Sequence, residues 1–384
     1  MTLHETARGL RELIEAEADA IETAGTMSAR IVDALEGAGL FNFMTPKSLG
    51  GHEATPSEIF DVCEELSYAD GSVGWAFAQN TAVGSYLAFV SPVAAKRFAD
   101  LRAGAGMFAP LGIAHQTDGG YMISGNYKFG SGSGHAQFMG GAALVMRDGE
   151  MAPMAADGTP PIIGFLVPPD GFKLKGNWDV MGLRGTGSYD FEIPEQHVPA
   201  DTTWTMFQPG AASRQSGGPL YGIGPIPLAT IGSVAWAVGV ARRALTEVRD
   251  IAKNGRARLG QTPLIEQQPF QRDYGQHATA VDAARTHALH TYELATAAIE
   301  ANHDTEQINS CLRATKVAAN YTTKVAVEAV DFAWGASGSD GMRNPSRIQR
   351  CFRDIHMGAG HMVFDDRNYI EFAKEHLHLE TTFI

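Results

Sequence analysis

Two stretches of the 384-residue sequence combine a reactive side chain with enough glycine for a ligand to reach it. The first is Phe129-Gly130-Ser131-Gly132-Ser133-Gly134-His135. Its glycines let backbone approach a flat ligand without side-chain clash, and Ser131 and Ser133 offer hydroxyl donors. A flexible surface hairpin is the competing reading of the same residues. The second stretch runs from Arg353-Asp354 through His356 to Gly358-Ala359-Gly360-His361-Met362. On one continuous helix His356 and His361 project about 140° apart, so only one of them faces a given pocket. Gly358 and Gly360 open space beside the helix at a cost in helix stability. A histidine there could take and return a proton near neutral pH. Arg184–Ser188 forms another Gly-rich turn, in which Arg184 either approaches a ligand or anchors the turn to an acid. Gly335-Ala336-Ser337-Gly338-Ser339, after Trp334, is either a ligand loop or a helix connection. Glu247 and Asp250 lie among Arg242, Arg243 and Arg249, as on a solvated helix face, and His135 is expected in a structural role. No Cys/His/Asp cluster has metal-ligand spacing, so no metal is expected. Cys63, Cys311 and Cys351 are scattered and read as reduced thiols, mostly core filler.

The elements that must position these residues follow from composition and periodicity. A net charge of −13 without a basic block argues against nucleic acid or an anionic membrane as partner. The acidic N-terminal segment has no apolar stretch of signal-peptide type. The uncharged run from Tyr221 to Ala241 is interrupted by Pro225, Pro227, Thr230 and Ser233, a pattern of a buried helix or subunit interface rather than a membrane span. A soluble, cytoplasmic protein is expected. Residues 1–105 carry 3–4 spacing of apolar positions, as in Ile59, Phe60, Cys63 and Leu66, and the run Val73–Leu87 is apolar nearly all round. Residues 106–203 change to short apolar or alternating runs punctuated by Gly, Pro and Asp, a β domain. Residues 204–384 begin with a Gly/Ser/Pro loop at 206–220, long enough to suggest function, and continue as helices near 228–253, 266–300, 306–334 and 345–376. The fold class is therefore α+β: an N-terminal helical domain, a central β-barrel-like domain and a C-terminal four-helix bundle. No GxGxxG stands between a strand and a helix, which disfavours a Rossmann fold.

This order, together with three segments, resembles the acyl-CoA dehydrogenase superfamily along nearly the whole chain. WDVMGLRGTGSYDFEIPEQHVPAD (178–201) resembles the end of that family's β domain. GGYMISGNYKFGSGSGHAQF (119–138) resembles the strand-turn-strand of its hydroxylase branch. WGASGSDGMRNPSRIQRCFRDIHMGAGHM (334–362) resembles its Gly-rich loop and last helix. Two marks of the dehydrogenases are missing: Met362, beside His361, stands where they place a catalytic glutamate, and MFAPLGIAHQTDGG replaces the usual Thr-Glu-Pro loop. A methionine cannot take a proton. The resemblance is instead to the two-component flavin monooxygenases of the fold. It implies reduced flavin (FMN or FAD) from a separate reductase, O₂ activation through a C4a-hydroperoxide, an aromatic or polycyclic substrate and a homotetramer. It implies catalytic roles for His361, as base toward a phenol, and for Ser131. It implies flavin contacts from Phe108, Leu111, Phe129, Ser131, Gly132, Ser133 and Arg184, and from Gly335, Ser337 and Gly338 toward the nucleotide end. Trp75, Phe77, Asn80, Phe108 and Met362 are candidate members of the substrate pocket. An FAD-dependent dehydrogenase or oxidase with an atypical base, and a catalytically silent flavin-binding or assembly subunit, are the alternatives.

Overall fold

The computed structural model describes residues 1–156, 158–344 and 346–381. Its helices begin where the sequence supplies caps. Helix α1 (Leu3–Gly9) starts at Thr2 and pairs it with Glu5 in a capping box, and α2 (Arg11–Ala24) and α3 (Ala29–Gly37) follow. Helix α4 (Pro56–Ala69) has Thr55 and Glu58 capping each other's backbone and Pro56 in the first turn. Asp70 ends α4 and, through its carboxylate, accepts from the amides of Ser72 and Val73 to start α5 (Gly71–Ser85). The all-round apolar run is thus a central helix, with almost every α5 side chain buried. Helix α6 (Pro92–Ala99) leads into the sheet.

The sheet comprises β1 (Gly104–Thr117), β2 (Gly120–Gly130), β3 (Phe138–Arg147), β4 (Glu150–Met151), β5 (Ile162–Val167), β6 (Lys173–Leu174), β7 (Tyr189–Pro199) and β8 (Thr203–Thr205). Strand order is β6-β7-β2-β1-β3-β5-β8, with β4 paired to β3. Asp118-Gly119, with Gly119 at φ +74°, turns β1 into β2 at the Thr117–Gly120 pair. Among the described residues only β1 and β3 run parallel, and their register slips at Pro110, between Met107 and Gly112. This bulge lies on the wall of the functional cavity described below. The sheet is rolled: Tyr127 of β2 stacks on Phe191 of β7 at 4.9 Å and meets Phe165 of β5, three places away in strand order, at 6.3 Å. A small core of its own fills the roll.

The remaining helices are α7 (Pro225–Lys253), α8 (Gln268–Glu300), α9 (Thr305–Ser337), α10 (Arg347–Ala359) and α11 (Arg367–His376). Helix α7 is long and apolar enough to cross a membrane, but 83% of its apolar window is buried, by packing against α4, α5, α9 and α10. Thr230–Ala241 is consumed in this interior, so it offers no surface to another subunit. The first and last helical segments share one hydrophobic core, running from Ala7 to Phe364.

Two expectations are corrected here. The helix anticipated over 345–376 is broken: α10 stops at Ala359, Gly360 is its C-cap, and His361 caps a 3-10 turn at Met362–Phe364 before α11. Glycine at 358 and 360 weakens the helix by about 1 kcal/mol each relative to alanine, and His361 Nδ1 accepts from Val363 N at 3.3 Å. His356 and His361 therefore do not share a helix. Conversely, Gly335 and Ser337 belong to the last turn of α9 rather than to a loop, with Ser337 Oγ donating to Trp334 O at 2.7 Å. The chain leaves the helix only at Gly338, at φ +56°.

Candidate active site

A cavity of about 640 Å³ lies where α5, the β1 bulge, the two Gly-rich turns, the loop after β8, α7, α9 and the break after α10 converge. One end gathers Trp75, Phe108, Phe129, Ser131, His361 and Met362, six of the residues expected to line a site. Trp178, Ser188, Tyr86 and Lys316 also line it and were not anticipated.

Ser131 is fixed by a chain of hydroxyls. Its Oγ accepts from Trp75 Nε1 at 3.1 Å and from Ser188 Oγ at 2.9 Å. Ser188 Oγ lies 2.7 Å from Thr186 Oγ1, which donates to Leu183 O at 2.8 Å. Three hydroxyl protons serve this row. Ser131 Oγ stands at the accepting end of the row, with two donors on it, so its own proton is left to offer to the cavity. The two Gly-rich turns are tied together by Gly132 N donating to Thr186 O at 3.0 Å and Ser133 Oγ donating to Gly187 O at 3.1 Å. Phe129 (φ +61°) and Leu183 (φ +54°) are held left-handed beside the cavity. Such backbone costs about 1–3 kcal/mol per bulky residue and persists only under constraint. The constraint on Leu183 is Asp354, whose Oδ1 accepts its amide at 2.6 Å. Burial and the neighbouring Asp70 charge push the Asp354 carboxyl up to about 7.

His361 touches Trp75 edge-on, ring centroids 5.7 Å apart. Burial pushes its imidazole down to about 4, so it is neutral at pH 7. Because Nδ1 accepts the Val363 amide, the neutral ring carries its proton on Nε2, and what it offers is an N–H donor. Against the expectation that only one of the two would face the pocket, His356 also lines the cavity, where it pairs with Asp331 at 2.9 Å and packs on Phe352.

Other expected residues are placed elsewhere. Asn80 is buried beneath the turn, not on the cavity wall: its Oδ1 meets His135 Nε2 at 2.8 Å and its Nδ2 donates to Gly104 O at 2.7 Å. A Cβ on Gly132 (φ +76°) would sit 2.4 Å from Asn80 Oδ1, so the amide is the floor on which the turn rests. His135, held neutral by burial, belongs to that floor. Phe77 stacks on Phe43 at 5.2 Å in the core. Leu111 is half exposed on β1, away from the cavity. Arg184 anchors its own loop, donating to Val180 O at 2.8 Å. Gly335, Ser337 and Gly338 do not line this chain's cavity.

Among the described residues, no aspartate or glutamate lines the cavity. Glu247 and Asp250 lie outside it, paired with Arg243 and Arg249 at 2.7 and 2.9 Å. The site thus holds donors, apolar walls and a neutral histidine, but no carboxylate base. The remaining features fit a flavin: Phe129 and Trp178 form an aromatic edge with centroids 6.1 Å apart, and Ser131 supplies a hydroxyl. At the Gly106–Gly140 contact of the β1 wall a Cβ would lie 2.4 Å from backbone, so strand and wall stay thin there.

Known proteins resemble this chain in sequence and in fold along most of its length. Residues 1–98 match the model of the acyl-CoA dehydrogenase N-terminal domain, and residues 231–366 that of the acyl-CoA dehydrogenase C-terminal domain. The chain is 26% identical to an indole-3-acetate monooxygenase of Pseudomonas putida over 351 residues, 89% of this chain and 85% of the relative. It is 28% identical to the oxygenase component of an FADH(2)-dependent resorcinol hydroxylase of Rhizobium sp. over 378 residues, 92% and 88% of the two chains. The crystal structure of 3-HSA hydroxylase from Rhodococcus sp. RHA1 superposes with a TM-score of 0.89 at 22% identity, covering 100% of this chain and 99% of that one.

Proposed function

We propose, from the premise that this chain belongs to the acyl-CoA dehydrogenase family, that it is the oxygenase of a two-component flavin-dependent monooxygenase acting on an aromatic small molecule. The observation that carries the reading is a cavity presenting Ser131 and a neutral His361 with no carboxylate among its described walls. A family dehydrogenase must remove a proton with a carboxylate as hydride leaves, and Met362 supplies none.

Phe108, Phe129, Ser131 and Trp178 would hold the flavin, FMN or FAD. When bound, reduced flavin supplies two electrons, so that one atom of O₂ enters the substrate and the other leaves as water. The chain's own contribution is to exclude solvent and hold protons at stated atoms. Trp75, Tyr86 and Phe108 wall off the reacting end. With Trp75 and Ser188 both donating to it, Ser131 Oγ has its own proton free to serve as a donor for charge developing beside the flavin. His361 presents Nε2–H to the substrate oxygen; a base role would require the ring to give up Val363 N. Reduced flavin from a separate reductase is supported by the Rhizobium relative's description as an oxygenase component. A homotetramer in the cytoplasm completes the proposal. Gly335 and Gly338, away from their own chain's cavity and still reached by solvent, would then meet a neighbouring subunit's cofactor, a role the buried Ser337 cannot share.

The test is product formation with a flavin reductase, NADH and a panel of phenols and indoles. His361→Ala should retain reduced-flavin binding, lose hydroxylation and release H₂O₂ instead. His361→Gln, which restores a donor near Nε2, should recover part of the coupling if donation is the role. Unchanged product yield in His361→Ala would refute the assignment. Anaerobic bleaching of the flavin by an acyl-CoA would favour the dehydrogenase reading.

A further inference from the structure

We propose that the end of the cavity lined by α9 takes an anionic group carried by the aromatic substrate, a carboxylate received by Lys316 and Asn309, so that the preferred substrates are aromatic acids. The proposal rests on the function proposed above and specifies its substrate class.

The sequence pattern is a stripe. Asn309, Leu312, Arg313 and Lys316 recur at i, i+3, i+4 and i+7 on α9, one face of a helix, and all four line the cavity. The charges on that face are not equivalent. Arg313 is buried and already paired, donating to Glu375 at 2.7 Å and to Glu306 at 2.6 Å. Lys316 has no carboxylate within ion-pair distance among the described residues, whereas the neighbouring Lys324 and Lys374 pair with Asp366 and Glu371 at 2.8 and 2.7 Å. Glu371 attracts Lys316 from α11, but burial outweighs it and, with Arg313, holds the ammonium below its ordinary range. A partly desolvated ammonium of this kind is stabilised by an incoming anion.

Asn309 supplies a second donor. Its Oδ1 is occupied by the amide of Gly210 at 2.8 Å, which fixes the side chain and leaves the NH₂ as its remaining group. Two other polar residues on that side are already committed. Thr315 donates to Leu312 O at 2.8 Å, and Asn368 donates to Asn320 Oδ1 and Val363 O at 3.0 Å each. No acid stands on the described walls beside Lys316, and the apolar Trp75 and Phe108 of the same cavity would take the ring. A neutral arene leaves the partly desolvated Lys316 without an ion pair; an aromatic carboxylate does not.

The experiment uses the full-length protein with its flavin and compares indole-3-acetate with indole-3-acetamide, of equal shape but no charge, by equilibrium dialysis and by KM. The expected result is at least tenfold tighter binding of the acid. That preference should disappear in Lys316→Met, with the affinity for the amide unchanged, and persist in Lys316→Arg. Equal affinity for acid and amide, failure of the acid to bind, or a Lys316→Met effect equal on both ligands would overturn the proposal. So would loss of FMN or FAD affinity in Lys316→Met without change in acid binding, since Lys316 would then serve the flavin phosphate. Dialysis reads binding without turnover, so a preserved acid preference without oxygenation would refute the proposed function alone.

Discussion

Lowering the pH should destabilise this fold through His361 by an amount that can be isolated. Its imidazole is pushed down to about 4 in the folded chain by burial, while the unfolded chain titrates near the ordinary value of 6.5. A group with a depressed folded pKa contributes stability that is complete above the unfolded pKa and is lost as pH falls toward the folded one. Between pH 7 and pH 5 the unfolded state takes up the proton and the folded state does not, a difference of at most about 2 kcal/mol. Other groups move in the same window. His135, also depressed to about 4 by burial, adds a loss of the same sign. Asp354, raised to about 7, opposes it, because a raised carboxyl stabilises at low pH and loses that contribution as pH rises. The clean quantity is therefore the difference between the wild type and His361→Asn. Asparagine preserves a side-chain cap for Val363 N while removing the titration. Urea unfolding at pH 7, 6 and 5 should give two stability curves that converge as pH falls, by up to about 2 kcal/mol. Parallel curves would mean that His361 is hydrated and titrates normally, and the neutral-donor role would fall with it.

Ser131→Ala leaves the Trp75 indole N–H without its acceptor, so a stability loss of about 1–3 kcal/mol is expected, with more H₂O₂ released per product. In a cycle with Trp75→Phe the double variant should cost less than the sum of the singles; strict additivity in urea unfolding would deny the bond any weight. Gly358→Ala places a Cβ 2.2 Å from the Trp236 ring. It should destabilise by about 1–3 kcal/mol and reduce activity by shifting the end of α10, despite alanine's better helix propensity; a raised Tm with full activity would contradict this. Asp354→Asn keeps an acceptor for Leu183 N and removes the like charge facing Asp70. Its stability should change little at pH 6 while its pH dependence between 6 and 8 flattens relative to wild type, as read by thermal melts.

The order of helices, sheet and helices was legible because periodicity is local, and so was the convergence of Ser131 with His361, through the motif resemblance. What escaped the sequence depended on contacts across long separations. Asn80 read as a lone amide on an apolar helix, suited to a pocket; His135, fifty-five residues on, takes its oxygen and turns it into a floor. Ser188 was visible within Gly-Leu-Arg-Gly-Thr-Gly-Ser, but its partnership with Ser131 needed the two turns to be tied by backbone bonds. The break at Gly360 was signalled by two glycines, which were read as room for a ligand and not as the end of a helix. The α9 stripe was readable by spacing, yet nothing local marks Lys316 as the cation left unpaired.

The single core shared by the first and last helical segments has a consequence for biosynthesis. Helices α4 and α5 close against α7, and α10 closes over Trp236 and Gly71, whose carbonyl accepts the indole N–H at 2.8 Å. The first hundred residues therefore emerge from a ribosome with their apolar faces uncovered and wait for a segment more than a hundred residues downstream. A stop placed before α7 should yield an aggregating fragment rather than a folded N-terminal domain. Coexpression of the missing part should rescue it only if the two pieces meet before the exposed faces find one another.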